Sequence, residues 1–316
     1  MNDRIFKAHP QAVIDLGSHS ALLLIGALNK TEQIIPLFQE FAVTRLAEDL
    51  PATGYIGVAA IERMLAVLQR YAKLIERRGA TRVQVVATEV LRRAKNSKEV
   101  AALIEARFGW PVHVLSAEEE ARYAYRGSLT EPVQAKQKIL IVDVGGGSTE
   151  LITGQGRNIT NVTSLPIGAL NLAQRMHMQK QLCSSDRLGL MQYLKLAFAE
   201  IPFWANIAGQ SELIGSGGTA TTLAALQLKL KEYDYQRVNR SALSRRQIWR
   251  WFFKLNELSL TQRRQLAGME AGREDVLMYG ILIFLTLMEL RGLDILHVRQ
   301  GGVRLGWLVK MLTDEN

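Results

Sequence analysis

The sequence predicts a duplicated mixed α/β fold, and three observations carry that prediction. An aspartate stands inside an apolar run, just before a turn of small residues, in both Val13-Ile-Asp-Leu-Gly-Ser-His-Ser20 and Ile141-Val-Asp-Val-Gly-Gly-Gly-Ser148. Each copy opens a strand-turn-strand unit, because a second apolar run follows at once, Leu22 to Ile25 in the first and Leu151-Ile152 in the second. The two aspartates, Asp15 and Asp143, lie 128 positions apart, the length of an ordinary domain. A polar stretch over 127–138, holding Pro132, separates the copies and is the expected boundary. The expected domains are therefore 1–127 and 128–316, with the last helix packing back on the first and the ligand site in a cleft between the copies.

In the first copy, Ile34 to Phe38 supplies a third strand after polar residues, completing a meander. Ile61, Leu65, Leu68, Ala72 and Ile75 recur at three- and four-residue intervals and predict a helix that Gly79 ends. Val83 to Ala87 reads as a strand, Ala101 to Phe108 as a helix closed by Gly109, Val112 to Leu115 as a short strand, and Glu118 to Tyr125 as the opening of another helix. In the second copy, a helix is expected from Asp186, broken by Pro202. Leu213 to Gly215 is a strand that leads through a third small-residue turn to a helix beginning near Thr219. Helices are expected over 244–255, 261–266 and 273–291, then a strand at Ile295 to Val298 and a closing helix from Val303.

Composition narrows the function. Of 316 residues, 48% are apolar, enough for two cores, and 39 Lys plus Arg against 30 Asp plus Glu leave a net charge of +9. That balance suits a polyanionic ligand without saying which. A single cysteine, Cys183, forms no internal disulfide. The residues before Asp15 lack the apolar core of a secretory signal, so a cytoplasmic location is expected. The apolar run 276–288 is too short to span a bilayer and predicts a buried helix, without stable membrane insertion.

Three turns end apolar strands and have the composition of phosphate loops: Gly17-Ser-His-Ser20, Gly145-Gly-Gly-Ser148 and Gly215-Ser-Gly-Gly-Thr219. Their amides and hydroxyls, from Ser18, His19, Ser20, Gly145, Gly146, Gly147, Ser148, Gly217, Gly218 and Thr219, can face an anion. None is a Walker A loop or a complete dinucleotide fingerprint. Asp143 lies inside an apolar strand, where a charge must be paired, bonded or metal-bound. Glu150 can point back across the turn toward it, and the oxygen-rich set suits Mg²⁺. Asp15 is the equivalent carboxylate of the first copy, in a supporting role. Glu118-Glu-Glu120 opens a helix with Ser116 as its cap. Helix-dipole compensation explains one or two of these acids, and the third must turn toward the sheet. Arg92, after the strand at 83–87, has the guanidinium geometry that grips phosphate.

These segments together resemble the exopolyphosphatase and guanosine pentaphosphate phosphohydrolase family, within the ribonuclease H-like superfamily of actin, Hsp70 and the sugar kinases. The resemblance runs over most of the chain. It rests on Ile14 to Ser20, Arg45-Leu46, Val86 to Asn96, Leu115 to Arg122, Val142 to Glu150, Leu165 to Gly168, Ile214 to Thr219 and Arg273 to Val276. It implies two actin-like domains in the short form of the family and hydrolysis of a terminal phosphoanhydride of inorganic polyphosphate or guanosine pentaphosphate (pppGpp). By that resemblance Glu120 matches the catalytic glutamate, Asp143 and Glu150 hold Mg²⁺, Arg92 contacts phosphate and Glu119 supports the acidic motif. A homodimer is also a family-based expectation, and recognition of a specific nucleic-acid sequence is not expected.

The chain departs from the family pattern at His19, where asparagine is usual, at Ala117 for glycine, at Arg299 for serine and at Leu305 for an acid. Two other readings stay open beside the hydrolase: a catalytically weak sensor of an alarmone or polyphosphate, and an ATP-dependent kinase, although no adenine or sugar motif supports the latter.

Overall fold

The computed structural model describes residues 9–30, 34–129, 137–178, 181–207 and 211–313. The chain divides into two compact units, one formed by 1–127 with 303–316 and the other by 128–302.

The first unit contains β1 (Gln11–Leu16), β2 (Ser20–Leu28), β3 (Ile34–Val43), α1 (Leu50–Thr53), α2 (Val58–Arg77), β4 (Arg82–Ala87), α3 (Glu89–Arg93), α4 (Ser97–Phe108), β5 (Val112–Val114) and α5 (Ala117–Ser128). Its five-stranded sheet runs β3-β2-β1-β4-β5. The first three strands form the antiparallel meander, while β4 and β5 add in parallel to β1. Helix α2 buries Ala60, Met64, Leu68, Tyr71 and Ile75, and Tyr71 donates from its hydroxyl to the Ala21 carbonyl at 2.8 Å, so its one polar atom is satisfied inside the core.

The second unit contains β6 (Lys138–Val144), β7 (Thr149–Gln155), β8 (Asn158–Leu165), α6 (Ala169–Arg175), α7 (Ser184–Ala199), β9 (Glu212–Ser216), α8 (Gly217–Gln227), α9 (Tyr235–Asn239), β10 (Ala242–Ser244), α10 (Arg245–Glu257), α11 (Leu260–Arg264), α12 (Leu277–Arg291) and β11 (Ile295–Val298). Its sheet runs β8-β7-β6-β9-β11-β10. The pairings β8-β7-β6 are antiparallel, and β9 and β11 extend the sheet in parallel. Apart from the extra edge strand β10, this is the order and polarity of the first sheet, so the repeated aspartate strands β1 and β6 hold the same central place in two copies of one topology.

Helix α12 is buried on every side from Leu277 to Met288, as expected for an apolar run that forms the core of a unit. Among the described residues, no helix is long and apolar enough to cross a membrane. The closing helix α13 (Gly302–Thr313) packs into the first unit from Val303 onward. Trp307 Nε1 donates to Gln84 Oε1 at 2.7 Å, its ring meets Tyr123 edge-on with centroids 4.7 Å apart, and Gly306 lets the helix backbone close on Tyr123.

Several boundaries differ from the sequence expectation. Helix α12 begins at Leu277 and not at Arg273, because the side chains of Arg273 and Glu274 are drawn into the preceding turns: Arg273 pairs with Glu270, and Glu274 accepts from the Gly272 amide. Helix α7 runs from Ser184 to Ala199 and so stops three residues before Pro202, in keeping with the expected break. Helix α8 starts at Gly217, two residues before Thr219. Of the expected boundary segment, residues 130–136 lie outside those described, and α5 continues to Ser128.

Candidate active site

In the second unit, strand pairing brings the two acids together. Asp143 on β6 and Glu150 on β7 are directly opposed in the antiparallel register, so both side chains leave the same face of the sheet. Ser216 Oγ donates to Asp143 Oδ2 at 2.7 Å, and Ser164 Oγ donates to Glu150 Oε1 at 2.8 Å. The far oxygen of Asp143 occupies the space that a Cβ on Gly217 would fill, and Gly217 also has a φ of +78°, a region that L side chains rarely adopt. A glycine here therefore serves both the turn and the carboxylate.

The turn between the acids is held by its carbonyls. Gly145 O accepts from Ala169 N at 2.9 Å, Gly146 O from Leu170 N at 2.9 Å, and Gly147 O from Asn171 Nδ2 at 2.6 Å. In a trans peptide the N–H points opposite to the C=O of the same plane. With these three carbonyls fixed toward α6, the amides of Gly146, Gly147 and Ser148 face away from it. Among the described residues the Gly146 and Gly147 amides find no acceptor. Gly168 permits the arrangement, since a Cβ there would overlap the Gly146 backbone.

The first unit repeats the device. Gly17 N donates to Ser20 O at 2.9 Å, as Gly145 N does to Ser148 O at 3.0 Å. Ser18 O accepts from Ala47 N at 3.0 Å, and His19 O from Thr44 N and Arg45 N at 3.0 and 2.9 Å. Asp15 sits on β1 opposite Leu22, the position that Glu150 takes in the second copy, so the first unit has one acid where the second has a pair. His19 is buried with the turn, at 3% exposure.

The acidic helix sorts its three glutamates. Glu118 pairs with Arg122 at 2.7 Å on the solvent side. Glu119 closes a reciprocal cap, its Oε2 accepting from Ser116 N at 2.9 Å while Ser116 Oγ accepts from Glu119 N at 3.1 Å. Glu120 turns inward to 6% exposure, where Arg92 Nη1 donates to its Oε2 at 2.9 Å and to the Leu115 carbonyl at 2.8 Å. A guanidinium held by two acceptors orients the carboxylate it touches.

In the third turn, Ser216 is extended and Gly217 and Gly218 open α8, so this helix N-terminus carries the small residues. Thr219 packs against Gly280 of α12, and its hydroxyl reaches the Val144 carbonyl at 3.4 Å. The guanidinium of Arg273, buried and paired with Glu270, lies where a Cβ on Gly218 would be.

Two buried residues beside these turns were not singled out in the sequence. Glu89, 5% exposed, accepts from Ser18 Oγ at 2.7 Å and pairs with Arg93 at 2.5 Å. Glu89 stood inside the Val86 to Asn96 segment of the family resemblance without being singled out. Arg273 lay in a segment already noted, yet its place on the third turn depends on a fold between distant segments. The remaining departures also find their places. Arg299 donates to the Asn239 and Val298 carbonyls at 3.1 and 3.0 Å, Leu305 is buried in the first unit, and Ala117 opens α5.

Two sheets of one shared topology, each with an aspartate strand and a carbonyl-pinned turn, define a protein of the actin-like, ribonuclease H-like class. Within that class the chain belongs to the Ppx/GppA phosphatase family, which matches over residues 26–315. It is 30% identical to exopolyphosphatase 2 of Mycobacterium tuberculosis over 92% of this chain and 95% of that protein. A bifunctional 3-dehydroquinate synthase/phosphatase of Fusobacterium nucleatum is 24% identical over 95% of this chain, which spans 46% of that longer protein. The crystal structure of an Aquifex aeolicus family member superposes with a TM-score of 0.80 at 33% identity, covering 97% of this chain and 98% of the other. An exopolyphosphatase structure from Cytophaga hutchinsonii shares the fold at a TM-score of 0.88 and 24% identity, over 97% of this chain and 99% of the other.

Proposed function

We propose that this protein is a Mg²⁺-dependent exopolyphosphatase that releases terminal orthophosphate from inorganic polyphosphate, with the 5′-phosphoanhydride of pppGpp as a second substrate for the same chemistry. The observation that carries the reading is the face-to-face pair Asp143 and Glu150, flanking a turn whose Gly146 and Gly147 amides have no acceptor among the described residues. Similarity to the M. tuberculosis exopolyphosphatase supports the choice of polyphosphate.

The donor set fits the metal. Among the described residues no group of three or more His, Cys, Asp or Glu side chains forms a metal cluster. Mg²⁺ commonly binds through one or two carboxylates, with water and substrate phosphate completing its shell. Asp143 and Glu150, both acids and each held by a serine hydroxyl, match that pattern, and no soft ligand competes. Bound there, Mg²⁺ would neutralise charge on phosphate oxygens.

The chain's own groups do the rest. The amides of Gly146, Gly147 and Ser148, with the first turn of α8 around Gly217, Gly218 and Thr219, hold phosphate oxygens. Ser18, His19 and Ser20 form the matching turn of the first unit. Since Ser18 gives its hydroxyl proton to Glu89, it contributes its amide. Glu120, oriented by Arg92, accepts a proton from the attacking water. The water oxygen bonds to the terminal phosphorus as the bridging P–O bond breaks, and the chain leaves one phosphate shorter. Glu119 supports the helix start that aims Glu120, and Asp15 supports the first turn.

The test is a time course of phosphate release from long polyphosphate and pppGpp in parallel, with and without Mg²⁺. The proposal expects metal-dependent release from polyphosphate. Saturable polyphosphate binding without any release would replace the enzyme by a sensor.

A further inference from the structure

The second unit carries a cavity of about 640 Å³ walled by α7, α10 and α12, built from none of the residues assigned to the reaction. We propose that it binds a purine nucleoside diphosphate. The volume lies within the range of small-molecule sites, and the lining has three chemical parts.

One wall is aromatic. Trp249 and Phe253, one turn apart on α10, lie nearly parallel, with centroids 5.4 Å apart and planes at 22°. The guanidinium carbon of Arg187 stands 5.3 Å from the Phe253 ring centre and 5.8 Å from that of Trp249. Planar bases stack on such rings and on arginine planes alike. Phe253 is 45% exposed and Leu188, beside Arg187 on α7, 61% exposed. Large apolar side chains left in water at one cavity mark a surface that something covers.

The second part is cationic. Arg187 and Lys195 both line the cavity, and neither side chain forms an ion pair or hydrogen bond with any described residue. The Nε of Arg187 is buried and lacks an acceptor. The two cations stand eight residues apart on α7, about two turns and so roughly 12 Å along the helix, and both line the one cavity, where such long side chains can converge on a diphosphate.

The third part is a carboxylate. Glu289 Oε1 accepts from the indole N–H of Trp249 at 3.2 Å and has no other partner among the described residues. This fixes the carboxylate at the edge of the aromatic wall, where its second oxygen can accept an N–H from a base. Adenine and guanine both present such a donor, whereas inorganic phosphate and polyphosphate do not. A second copy of the chain fits the cavity less well, since it would bring the same unpaired cations against themselves.

The experiment uses the whole protein. ADP and GDP are titrated while intrinsic tryptophan fluorescence and heat are followed, with pyrophosphate and adenosine as the separate halves of the ligand. Saturable one-to-one binding is expected, with quenching that is lost in Trp249→Leu and affinity reduced about tenfold or more in Arg187→Gln and in Lys195→Gln. Phosphate release from tripolyphosphate should stay at the parent level in Arg187→Gln, and saturating tripolyphosphate should leave nucleotide binding in place. Absence of saturation by about 1 mM nucleotide, equal affinity in both charge variants, or pyrophosphate binding as tightly as ADP would each overturn the proposal. So would a dimer that dissociates in Leu188→Glu, because a second copy would then be the occupant.

Discussion

Replacing Gly218 by alanine should destabilise the protein, although the same change in an ordinary helix stabilises it. Gly218 lies in the first turn of α8, and its φ is not among the positive ones. Alanine fits that backbone and would by itself add up to about 1 kcal/mol. The obstacle is the Arg273 guanidinium, which occupies the position of the new Cβ. Arg273 has no slack, since its side chain is 7% exposed and pairs with Glu270, itself 25% exposed and accepting from Thr222 Oγ1 at 3.1 Å. Displacing one partner of a largely buried pair costs about 3–5 kcal/mol. With the helical gain subtracted, Gly218→Ala should lose about 2–4 kcal/mol. In an Arg273→Ala background the space is open, and the same substitution should be neutral or stabilising by about 0.5–1 kcal/mol. Urea unfolding of the four proteins in this cycle measures the coupling. Equal costs of Gly218→Ala in both backgrounds would refute the steric argument.

Asp143→Asn and Glu150→Gln should each raise the Mg²⁺ concentration needed for half-maximal phosphate release, and unchanged metal dependence in the folded variants would reject them as ligands. Ser116→Ala removes the cap hydroxyl that accepts from Glu119 N and should cost about 1 kcal/mol, read as a lower urea midpoint, while Glu118→Gln should leave the midpoint nearly unchanged. Burial, followed by the charge of Lys310, holds His113 below its ordinary pKa, against weaker opposing pulls from Glu105 and Glu119. Its folded pKa is therefore the lower one, so its contribution is intact above the unfolded value of about 6.5 and is lost as pH falls below it. Thermal melts between pH 7.5 and 5.5 should show this slope, and His113→Phe should flatten it.

Much of the fold was legible because the repeated strands announce themselves. An aspartate inside an apolar run is costly enough that it marks a site, and a glycine turn after it marks the end of a strand. Asp15 and Asp143 therefore located both sheets. Strand β8, Asn158 to Leu165, gave no such signal because it is a polar edge strand, with Asn158, Thr160 and Asn161 exposed. Helix α6 is only seven residues long, too short for a period to show. In the site, helical geometry required the glutamate run to diverge by about 100° per residue, and the family resemblance selected Glu120 as the one that turns inward. The places of Glu89 and Arg273 did not follow from it, because their contacts with Ser18 and Gly218 join segments remote in sequence.

The central claim is that Glu120 takes the proton from the attacking water, and Glu120→Gln tests it most directly. The substitution keeps the size of the side chain and an oxygen for Arg92 while removing the base. Turnover on polyphosphate and direct polyphosphate binding are measured under the same Mg²⁺ and salt, beside Glu118→Gln and Glu119→Gln. The account predicts a fall in turnover of about 10²- to 10⁴-fold for Glu120→Gln with binding largely kept, and a far smaller change for Glu118→Gln. Near-parent turnover in folded Glu120→Gln, above all with Glu119→Gln inactive, would contradict it.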